Sequence, residues 1–561
     1  MVNVGLPVEP QSRKAAAATA VAAAGGTGRA SKGDRAHHRR RAAVCTPALV
    51  MSAVGLWGLD RGGMWRDEAV SFQVGRRTVP QIWRLLHDVD AVHGLYYLLV
   101  HAVLAVRPGE VLLRLPSVCA AAATAALVAA LGTRLARPRV GLWAGLLYAV
   151  APMAGHYSQE GRSYALVAAG ATGATLLLVR AVQGGSWWAY GAVLGLTCWL
   201  HEFAVLLLCA HAGSLALARA GVRVWRGWGC AAGGILLALL PMVVVSRGQA
   251  AQVAWLRRPT AASVQGLLRG FLGPADSVYW VCLGLALAGV AGLVGRRGDV
   301  TLPGVALPLT VVPPTVLMLA SQLSPLYVDR YVLYALGGVP LLVAAGAERV
   351  AGAVGRLHAR SRRPGRPVLP EGPSTPRSPL AAPGGALGVC LAFLLFLLQF
   401  PLLRADRDPG TRPDDLGAVS RVVAREVRPG DPVVFLPVSV RNVALAYPGA
   451  FRGTRDVALV RGAAESGTLY GREAGVREVR RRLARLDRVW IVADQDLLAG
   501  RWSPRNPVER TKLAVLRRDF TEREDVLRGR TSVRLYVRKD LAGPAGAPSA
   551  LPPVLPRPVR W

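Results

Sequence analysis

Long apolar runs separated by short polar segments make up the chain from residue 42 to residue 403. Most runs contain roughly 16 to 22 residues, the length that a helix needs to cross about 30 Å of hydrocarbon. Their length predicts about 11 membrane spans. The approximate bounds are 42–59, 111–132, 140–155, 164–179, 187–200, 203–218, 229–246, 276–295, 302–322, 331–347 and 386–403. The pattern therefore predicts a polytopic, all-α membrane bundle.

Arginine clusters orient the predicted bundle. Three arginines at 39–41 precede the first run, and another cluster at 134–139 follows the second. Basic loops favour the cytoplasmic side, so the N-terminus is predicted to be cytoplasmic and, after an odd number of crossings, the C-terminal tail lies outside. The segment 93–106 is short for a crossing, and we assign it to the membrane interface. If it crossed, the 134–139 cluster would face outward, so the interfacial assignment is preferred.

Beyond the last run, the pattern changes to short apolar segments between amphipathic ones. A helix signal begins with Asp414 as its N-cap and continues through Leu416, Val419, Val423 and Val427. Further predicted elements are strands at 432–436, 489–492 and 532–537 and helices at 472–486 and 507–519. Helices alternating with apolar strands predict a small α/β domain over 404–540, outside the cytoplasm.

Other segments are predicted from their composition. Few apolar and many small residues predict a disordered, basic cytoplasmic N-terminus over 1–41 and a disordered tail over 541–561. A Pro/Arg-rich stretch, 348–385, is predicted to be a cytoplasmic linker. It separates the main transmembrane module, 42–347, from the last transmembrane helix, 386–403.

Composition narrows the class of protein. The chain is 52% hydrophobic with a mean hydropathy of +0.33, more apolar than an average soluble domain of its length. The net charge is +34, but much of the basic excess lies between apolar runs, where it orients a membrane protein. We therefore predict no nucleic-acid partner. All seven cysteines lie in apolar runs, which excludes a disulfide framework and a zinc site with CxxC spacing.

Polar residues at the predicted outer ends of the spans are the candidates for chemistry. Charged groups near the bilayer are costly unless they are paired or functional, and the loops on one face of a bundle converge. The outer groups are Asp67, Glu68, Asp88, Asp90, His93, the stretch 156–162, His201, Glu202 and the stretch 327–331. The pattern predicts that they line one cavity.

Each candidate also has a structural interpretation. Adjacent acids at 67–68 are either solvated or supply a general base or metal ligand just above the bilayer. Glu160 and Arg162 form either a salt-bridged turn or part of a site. Arg330 either anchors the chain in an aromatic belt or binds a phosphate bidentately. His201, at a span end, is more often a satisfied interfacial histidine than a site residue.

Several of these segments resemble stretches of GT-C glycosyltransferases, and specifically of family 39, the protein O-mannosyltransferase and aminoarabinose-transferase group. The matching stretches are Trp65-x-Asp67-Glu68-Ala69-x-Ser71, His93-Gly94-Leu95-Tyr96-Tyr97-Leu98, Leu113-Arg114-Leu115-Pro116-Ser117, Tyr157-Ser158-Gln159-Glu160-x-Arg162-x-Tyr164 and Asp329-Arg330-Tyr331. They occur in the expected order over about residues 60–335. One departure is Gly94, where the family usually has Pro. The tail after 404 resembles outer domains of bacterial relatives only loosely.

The resemblance implies inverting transfer of a sugar, often mannose, from a polyprenyl-phosphate donor outside the cell membrane. It implies Asp67 as the base, supported by Glu68, with Glu160 as a second-loop acid. The candidates for binding the donor or its phosphate are Arg330 with Arg114 or Arg162, together with Tyr331, His93 and His201. Of these, His201 lies outside the matching stretches and is a candidate from its position at a span end. Membrane lipid and a glycan, lipid or protein acceptor would be the other partners. Some GT-C enzymes use a divalent metal such as Mg²⁺ or Mn²⁺, which Asp67 and Glu160 could bind, but no ligand cluster requires one.

Two other functions fit parts of the pattern. A transporter or flippase for lipid-linked sugars, or a binding protein without transferase activity, would share the membrane architecture and the arginines. It would not need an outer acid pair, and transporters usually show paired repeats with polar residues in mid-membrane. A scaffold with a degenerate site would make the tail the working part, but the tail has no clustered acid, histidine or nucleophile motif.

Overall fold

The structure, a computed structural model, describes residues 37–249, 252, 255–361, 383–411, 414–528 and 530–541. The predictions for 1–36, for 362–382 within the linker and for 542–561 lie outside the described residues. Residues 37–41 were predicted to be disordered, but the structure shows them as helical.

The described residues up to Asp406 form helices that are joined by turns and loops, with no strand among them. Helix α1 covers 37–56. The others are α2 Arg66–Gly75, α3 Val79–Asp88, α4 Gly94–Val106, α5 Glu110–Leu135, α6 Pro138–Ala149, α7 Pro152–Tyr157, α8 Tyr164–Val182, α9 Trp187–Leu200, α10 Leu207–Leu217, α11 Val222–Gly248, α12 Ala261–Leu272, α13 Asp276–Val290, α14 Leu302–Leu323, α15 Gly338–Ser361 and α16 Pro383–Asp406. Short 3-10 turns at Ala91–His93, Glu202–Leu206 and Asp329–Gly337 precede α4, α10 and α15.

Six helices among the described residues are long and apolar enough to cross a membrane, and a seventh span is formed if α12 and α13, bent by 83°, count as one. Eleven spans therefore remain a prediction, because several predicted spans are short or broken. The predicted span 140–155 breaks at Pro152, which lacks an N–H and disfavours helix in the residue before it. Helix α4 has 13 residues, and whether it crosses stays a prediction.

The predicted linker, 348–385, is helical at both of its ends. Helix α15 continues to Ser361, and α16 already begins at Pro383. The apolar pattern that marks a span ends near 347, but a helix does not have to end where its apolar face ends. Only residues 362–382 separate the two helices.

The C-terminal part is an α/β domain, as predicted. Its strands are β1 Pro432–Leu436, β2 Arg455–Asp456, β3 Leu459–Arg461, β4 Arg472–Glu473, β5 Arg488–Asp494, β6 Phe520–Arg528 and β7 Thr531–Arg538. Its helices are α17 Leu416–Glu426, α18 Asn442–Ala446, α19 Ala463–Ser466, α20 Val476–Ala484, α21 Gln495–Leu498 and α22 Pro507–Asp519. The main sheet has the order β2-β1-β5-β7-β6, with β2, β1 and β5 parallel and β7 and β6 antiparallel.

Two predicted helix starts in this domain need correction, and four strands, β2, β3, β4 and β6, were not predicted. The N-cap of α17 is Asp415, whose side chain accepts from the N–H of Ala418, and not Asp414. The helix predicted from residue 472 begins at Val476, because 472–473 pairs with β3. Strand β6 was not predicted, since it is a charged strand at the edge of the sheet and lacks a continuous apolar face.

The C-terminal domain packs directly on the loop before α2. The N–H of Gly63 donates to Oδ1 of Asp415 at 3.0 Å, and the N–H of Met64 donates to the Tyr447 hydroxyl at 2.8 Å. Nδ2 of Asn442 donates to the carbonyl of Arg66 at 2.7 Å. Apolar residues of α2 and α17 also share one buried cluster. These contacts fix the start of α2, which carries the acid pair.

Candidate active site

Helix α2 presents its two acids in different directions. Asp67 and Glu68 lie in its first turn, where the helix dipole favours negative charge. Successive residues of an α-helix point about 100° apart. The Asp67 side chain consequently faces an open cavity, whereas Glu68 faces the bundle interior and is 1% exposed.

Asp67 meets Arg330 at this cavity. Nη2 of Arg330 lies 3.4 Å from Oδ2 of Asp67, and both side chains remain partly exposed. Nε of Arg330 donates to the Tyr164 hydroxyl at 3.1 Å. The guanidinium also lies 5.8 Å from the ring centres of both Trp65 and Tyr331. A cation fixed by aromatic rings, with its charge only partly used by Asp67, can bind an anionic ligand.

A second guanidinium, that of Arg162, lies deeper in the same cavity. Its Nη1 donates to Oγ of Ser71 at 3.3 Å, and its Nη2 donates to Nε2 of His93 at 2.8 Å. Burial, followed by the charge of Arg162, lowers the pKa of His93 well below its ordinary value. Burial likewise lowers the pKa of His201 to about 3. Both imidazoles are therefore neutral at physiological pH and contribute hydrogen-bonding nitrogens without charge.

The cavity has a volume of about 1090 Å³. It joins helices of the bundle to residues 467–470 of the C-terminal domain. The predicted site residues that line it are Asp67, His93, Arg162, His201, Arg330 and Tyr331. These come from separate segments of the sequence, so the predicted convergence of the outer loops in one cleft is present in the structure.

Arg114 is not among the residues that line the cavity, and its surroundings do not support the predicted role in phosphate binding. Its side chain is fully buried, with Nε and Nη2 each 2.8 Å from the Glu68 carboxylate. Nη1 and Nη2 also donate to the carbonyls of Leu59 and Gly63, both at 3.1 Å. With these donors already bonded inside the protein, Arg114 has no access to a lipid phosphate.

Glu68 is likewise a positioning residue rather than a group that touches substrate. Its Oε1 also accepts from the N–H of Gly161 at 2.8 Å, which joins α2 to the loop before α8. A Cβ at Gly161 would lie 2.6 Å from Leu113 and 3.3 Å from Oε1 of Glu68, so this close approach requires glycine. The pair Glu68–Arg114 thus holds the loop that carries Glu160 and Arg162 against α2.

Glu160 is buried beside the cavity and is not among the residues that line it. Burial raises the pKa of Glu160 to about 7, although the charges of His156 and Arg330 oppose the rise. Its Oε2 has no hydrogen-bond partner in the described part of the chain. The structure therefore brings this acid close to the site without direct access from the cavity.

Three unpartnered buried polar atoms belong to residues that line the cavity. Among the described residues, Nε of Arg162, Nδ1 of His93 and Nδ1 of His201 have no hydrogen-bond partner. Native proteins satisfy most buried polar groups, and exceptions at a cavity are expected where a ligand completes them. The lining is therefore suited to a polar ligand.

The same residues do not fit a divalent metal. Within the described ranges there is no group of three or more His, Cys, Asp or Glu side chains that could hold an ion. A guanidinium lies against Asp67, where a metal would have to bind. Asp67 and Glu160 are thus not supported as a metal pair.

Some cavity residues were not assigned a role from the sequence. Asp90 was noted only as an outer acid, and Tyr470 lies in the C-terminal domain, which had no site assigned. Asp90 could have been singled out from the sequence, because it is an acid three residues before the candidate His93. For Tyr470 there was no such signal, because its proximity depends on how the two domains dock.

No protein-family model matches the sequence, and no curated protein matches it. Solved structures do match. ArnT from Cupriavidus metallidurans in the apo state has a TM-score of 0.55 at 13% identity, covering 88% of this chain and 97% of that one. ArnT bound to undecaprenyl phosphate has a TM-score of 0.53 at 13% identity, covering 90% and 100%. The apo oligosaccharyltransferase of Archaeoglobus fulgidus has a TM-score of 0.50 at 11% identity, covering 86% and 73%.

These neighbours are GT-C glycosyltransferases. This chain has the GT-C fold. The likeness to ArnT extends over the bundle and the C-terminal domain, since it covers most of both chains. At this level of identity it shows the GT-C fold alone, so the roles of individual side chains depend on the cavity geometry. Membership of family 39 stays a prediction.

Proposed function

We propose that this GT-C chain is a membrane glycosyltransferase that moves a sugar from a polyprenyl-phosphate donor to an acceptor hydroxyl. One observation carries the proposal: a carboxylate, Asp67, and a guanidinium, Arg330, meet at a cavity that contains a second guanidinium, Arg162. A base beside a cationic anion site is what transfer from a phosphate-linked sugar needs.

The proposed reaction is a single displacement at the anomeric carbon. Asp67 takes the proton of the acceptor hydroxyl, and the acceptor oxygen forms a bond to the anomeric carbon. The bond from that carbon to the phosphate oxygen breaks, its electron pair goes to the oxygen, and polyprenyl phosphate leaves with inversion of configuration. Arg330 and Arg162 stabilise the extra negative charge on the leaving phosphate. An anionic leaving group of this kind needs no general acid.

The walls of the cavity support a lipid-linked donor. Apolar side chains of Phe203, Leu239, Val243 and Leu326 line it together with the arginines, so one ligand with an apolar chain and an anionic head can satisfy both. ArnT, which shares the fold, is bound to undecaprenyl phosphate in one of its structures.

The finer features of the proposal come from the sequence. We propose a cell-membrane location with the N-terminus in the cytoplasm and the site and the C-terminal domain outside, as the positive-inside rule predicts. The loop motifs make mannose the first sugar to test. The acceptor is left as a hydroxyl compound of unassigned class. We propose no metal-dependent step, since the residues around Asp67 do not fit a metal.

The test uses the full-length protein in liposomes with radiolabelled polyprenyl-phosphate mannose and a crude membrane or cell-wall acceptor fraction. We expect label to leave the lipid and polyprenyl phosphate to form, and Asp67→Asn to stop both while the protein inserts normally. If labelled lipid instead moves between leaflets without cleavage, and the Asp67→Asn variant moves it equally well, the chain is a transporter. Cleavage that continues unchanged in this variant would also refute the proposal.

A further inference from the structure

The C-terminal domain contributes a fixed wall to the cavity through residues 467–470, between α19 and β4. Nε2 of Gln73 donates to the carbonyl of Leu469 at 3.0 Å, and Nη2 of Arg77 donates to the carbonyl of Thr468 at 2.9 Å. From the other side, Nη1 of Arg441 donates to the carbonyl of Tyr470 at 3.0 Å. Because three consecutive carbonyls are bonded, the segment holds its side chains in place.

Tyr470 lines the cavity from this segment, and its ring packs on the buried apolar cluster that α2 shares with the C-terminal domain. Within the described ranges its hydroxyl has no hydrogen-bond partner. Burial raises the pKa of Tyr470, and the negative charges of Asp90 and Asp67 raise it further. The phenol therefore lies within electrostatic range of both carboxylates and stays protonated, able to donate and accept.

Asp90 lines the same cavity within electrostatic range of Tyr470, and it is also held rigidly. Its backbone is left-handed, with φ of 58°, which Asp and Asn tolerate better than most residues. The neighbouring N–H groups of Asp90 and Ala91 donate to the side chains of Gln252 and Gln249, at 3.3 and 2.9 Å. Oδ2 of Asp90 accepts from the Tyr97 hydroxyl at 2.8 Å. The other oxygen, Oδ1, has no hydrogen bond among the described residues.

Arg162 connects these two residues to the reacting centre. Its charge acts on Asp90 and Tyr470 as well as on His93. In the proposed function, a phosphate bound by Arg330 and Arg162 places its attached sugar near the base Asp67, in a cavity that Asp90 and Tyr470 also line. Sugar hydroxyls are bound in proteins by fixed carboxylates and phenols, which match their donors and acceptors. Oδ1 of Asp90 and the unpartnered phenol are groups of this kind.

We propose that Asp90 and Tyr470 form the subsite that binds hydroxyl groups of the donor sugar, so that the C-terminal domain helps to select the sugar. This inference rests on the proposed function, since it requires a sugar-bearing lipid phosphate at Arg330 and Arg162. It assigns to the C-terminal domain a direct contact with substrate, made by one side chain on a rigid segment.

The experiment compares two ligands on the purified full-length protein: decaprenyl phosphate and decaprenyl-phosphate mannose. Asp90→Asn is expected to weaken binding of the mannose-bearing lipid about 10-fold, and Tyr470→Phe about 3- to 10-fold, since each removes a hydrogen bond to the sugar. Both variants should bind decaprenyl phosphate within about twofold of the wild type, because the phosphate contacts are intact. Asn is compatible with the left-handed backbone at 90, so the turn is preserved.

Matched controls are Tyr536→Phe, on the outer part of strand β7, and Asp276→Asn, on an exposed helix start. Neither should change binding of either lipid. Equal weakening of both lipids by Asp90→Asn and Tyr470→Phe, or no weakening of either, would overturn the subsite. Unchanged donor affinity with a raised acceptor KM would also overturn it and assign these residues to the acceptor. Arg330→Gln separates the two proposals, because it removes one of the two charges that are proposed to bind the phosphate. If this variant binds decaprenyl phosphate as tightly as the wild type does, the proposed function itself fails.

Discussion

Asp67 and Glu68 are adjacent on α2, and each is paired with an arginine, but the two pairs have different surroundings. The Asp67 carboxylate is 29% exposed and touches Arg330 through one contact at 3.4 Å. The Glu68 carboxylate is 1% exposed and binds Arg114 through two contacts at 2.8 Å. The first pair is loose and open to a ligand, whereas the second is closed and fully bonded.

The difference shows what decides whether an acid near a site is chemical or structural. Both residues have the same neighbours in sequence, and only the helix geometry separates their directions. Glu68 and Arg114 satisfy each other and four backbone groups around them, which positions the loop with Glu160 and Arg162. Asp67 keeps a free face for an acceptor.

The largest expected effect is that of Asp67→Asn on sugar transfer. Loss of a general base typically costs up to 10⁴-fold in rate, and we expect a 10³- to 10⁴-fold fall in kcat, about 4 to 5 kcal/mol of barrier. The midpoint of thermal unfolding should move little, because the carboxylate is partly exposed. Single-turnover transfer measured together with thermal unfolding checks both, and Asp276→Asn is the control. If Asp67→Asn keeps the transfer rate of the wild type but unfolds more easily, Asp67 has a structural role and not a chemical one.

Glu68→Ala should have the opposite profile. It leaves Arg114 charged, buried and unpaired, which costs about 3 to 5 kcal/mol of the free energy of unfolding. Denaturant unfolding in detergent measures this, and Glu426→Ala, at a surface pair, should cost under about 1 kcal/mol. Replacing both partners, by Glu68→Leu with Arg114→Met, should recover much of the loss. If Glu68→Ala alone unfolds like the wild type, the buried pair Glu68–Arg114 does not stabilise the fold.

Glu160 is a third acid near the site. It is buried like Glu68, but no arginine among the described residues is bonded to it. Its pKa is raised from an ordinary 4.5 to about 7 in the folded protein. At a pH between these two pKa values, Glu160 is ionised in the unfolded chain and still protonated in the folded protein. The free energy of unfolding therefore falls as the pH rises from about 4.5 to 7 and is constant above.

Glu160→Gln should remove this dependence, which amounts to at most about 3 kcal/mol. The free energy of unfolding is measured at pH 5, 6, 7 and 8. We expect the stability of the variant relative to the wild type to rise up to pH 7 and to rise no further at pH 8. A constant difference across this range would mean that Glu160 is ionised in the folded protein throughout.

The smallest expected effect concerns metals. Since Arg330 supplies the positive charge beside Asp67, treatment with EDTA should change the transfer rate by less than about twofold. The control is addition of excess Mg²⁺ or Mn²⁺ to the treated protein, which should add no activity. Loss of activity with EDTA that either ion restores would mean that the open acid binds a metal.

Part of this organisation could be predicted from the sequence, because apolar length and loop charge act locally. Span ends placed the polar loops on one face, and Asp67 and Arg330, 263 residues apart, do meet. The sequence shows an arginine at position 114, but it does not show that the Arg114 side chain points into the bundle. Tyr470 was missed because its position depends on docking contacts between α2 and a segment nearly 400 residues later, such as that of Gln73 with Leu469.

A structure of the protein with bound polyprenyl phosphate would show directly whether Arg330 and Arg162 bind the donor's phosphate beside Asp67. We expect phosphate oxygens at about 3 Å from the guanidiniums of Arg330 and Arg162, with Asp67 facing the space where the sugar would be attached. A phosphate bound outside this cavity, with the Asp67–Arg330 pair unchanged and closed, would contradict this expectation.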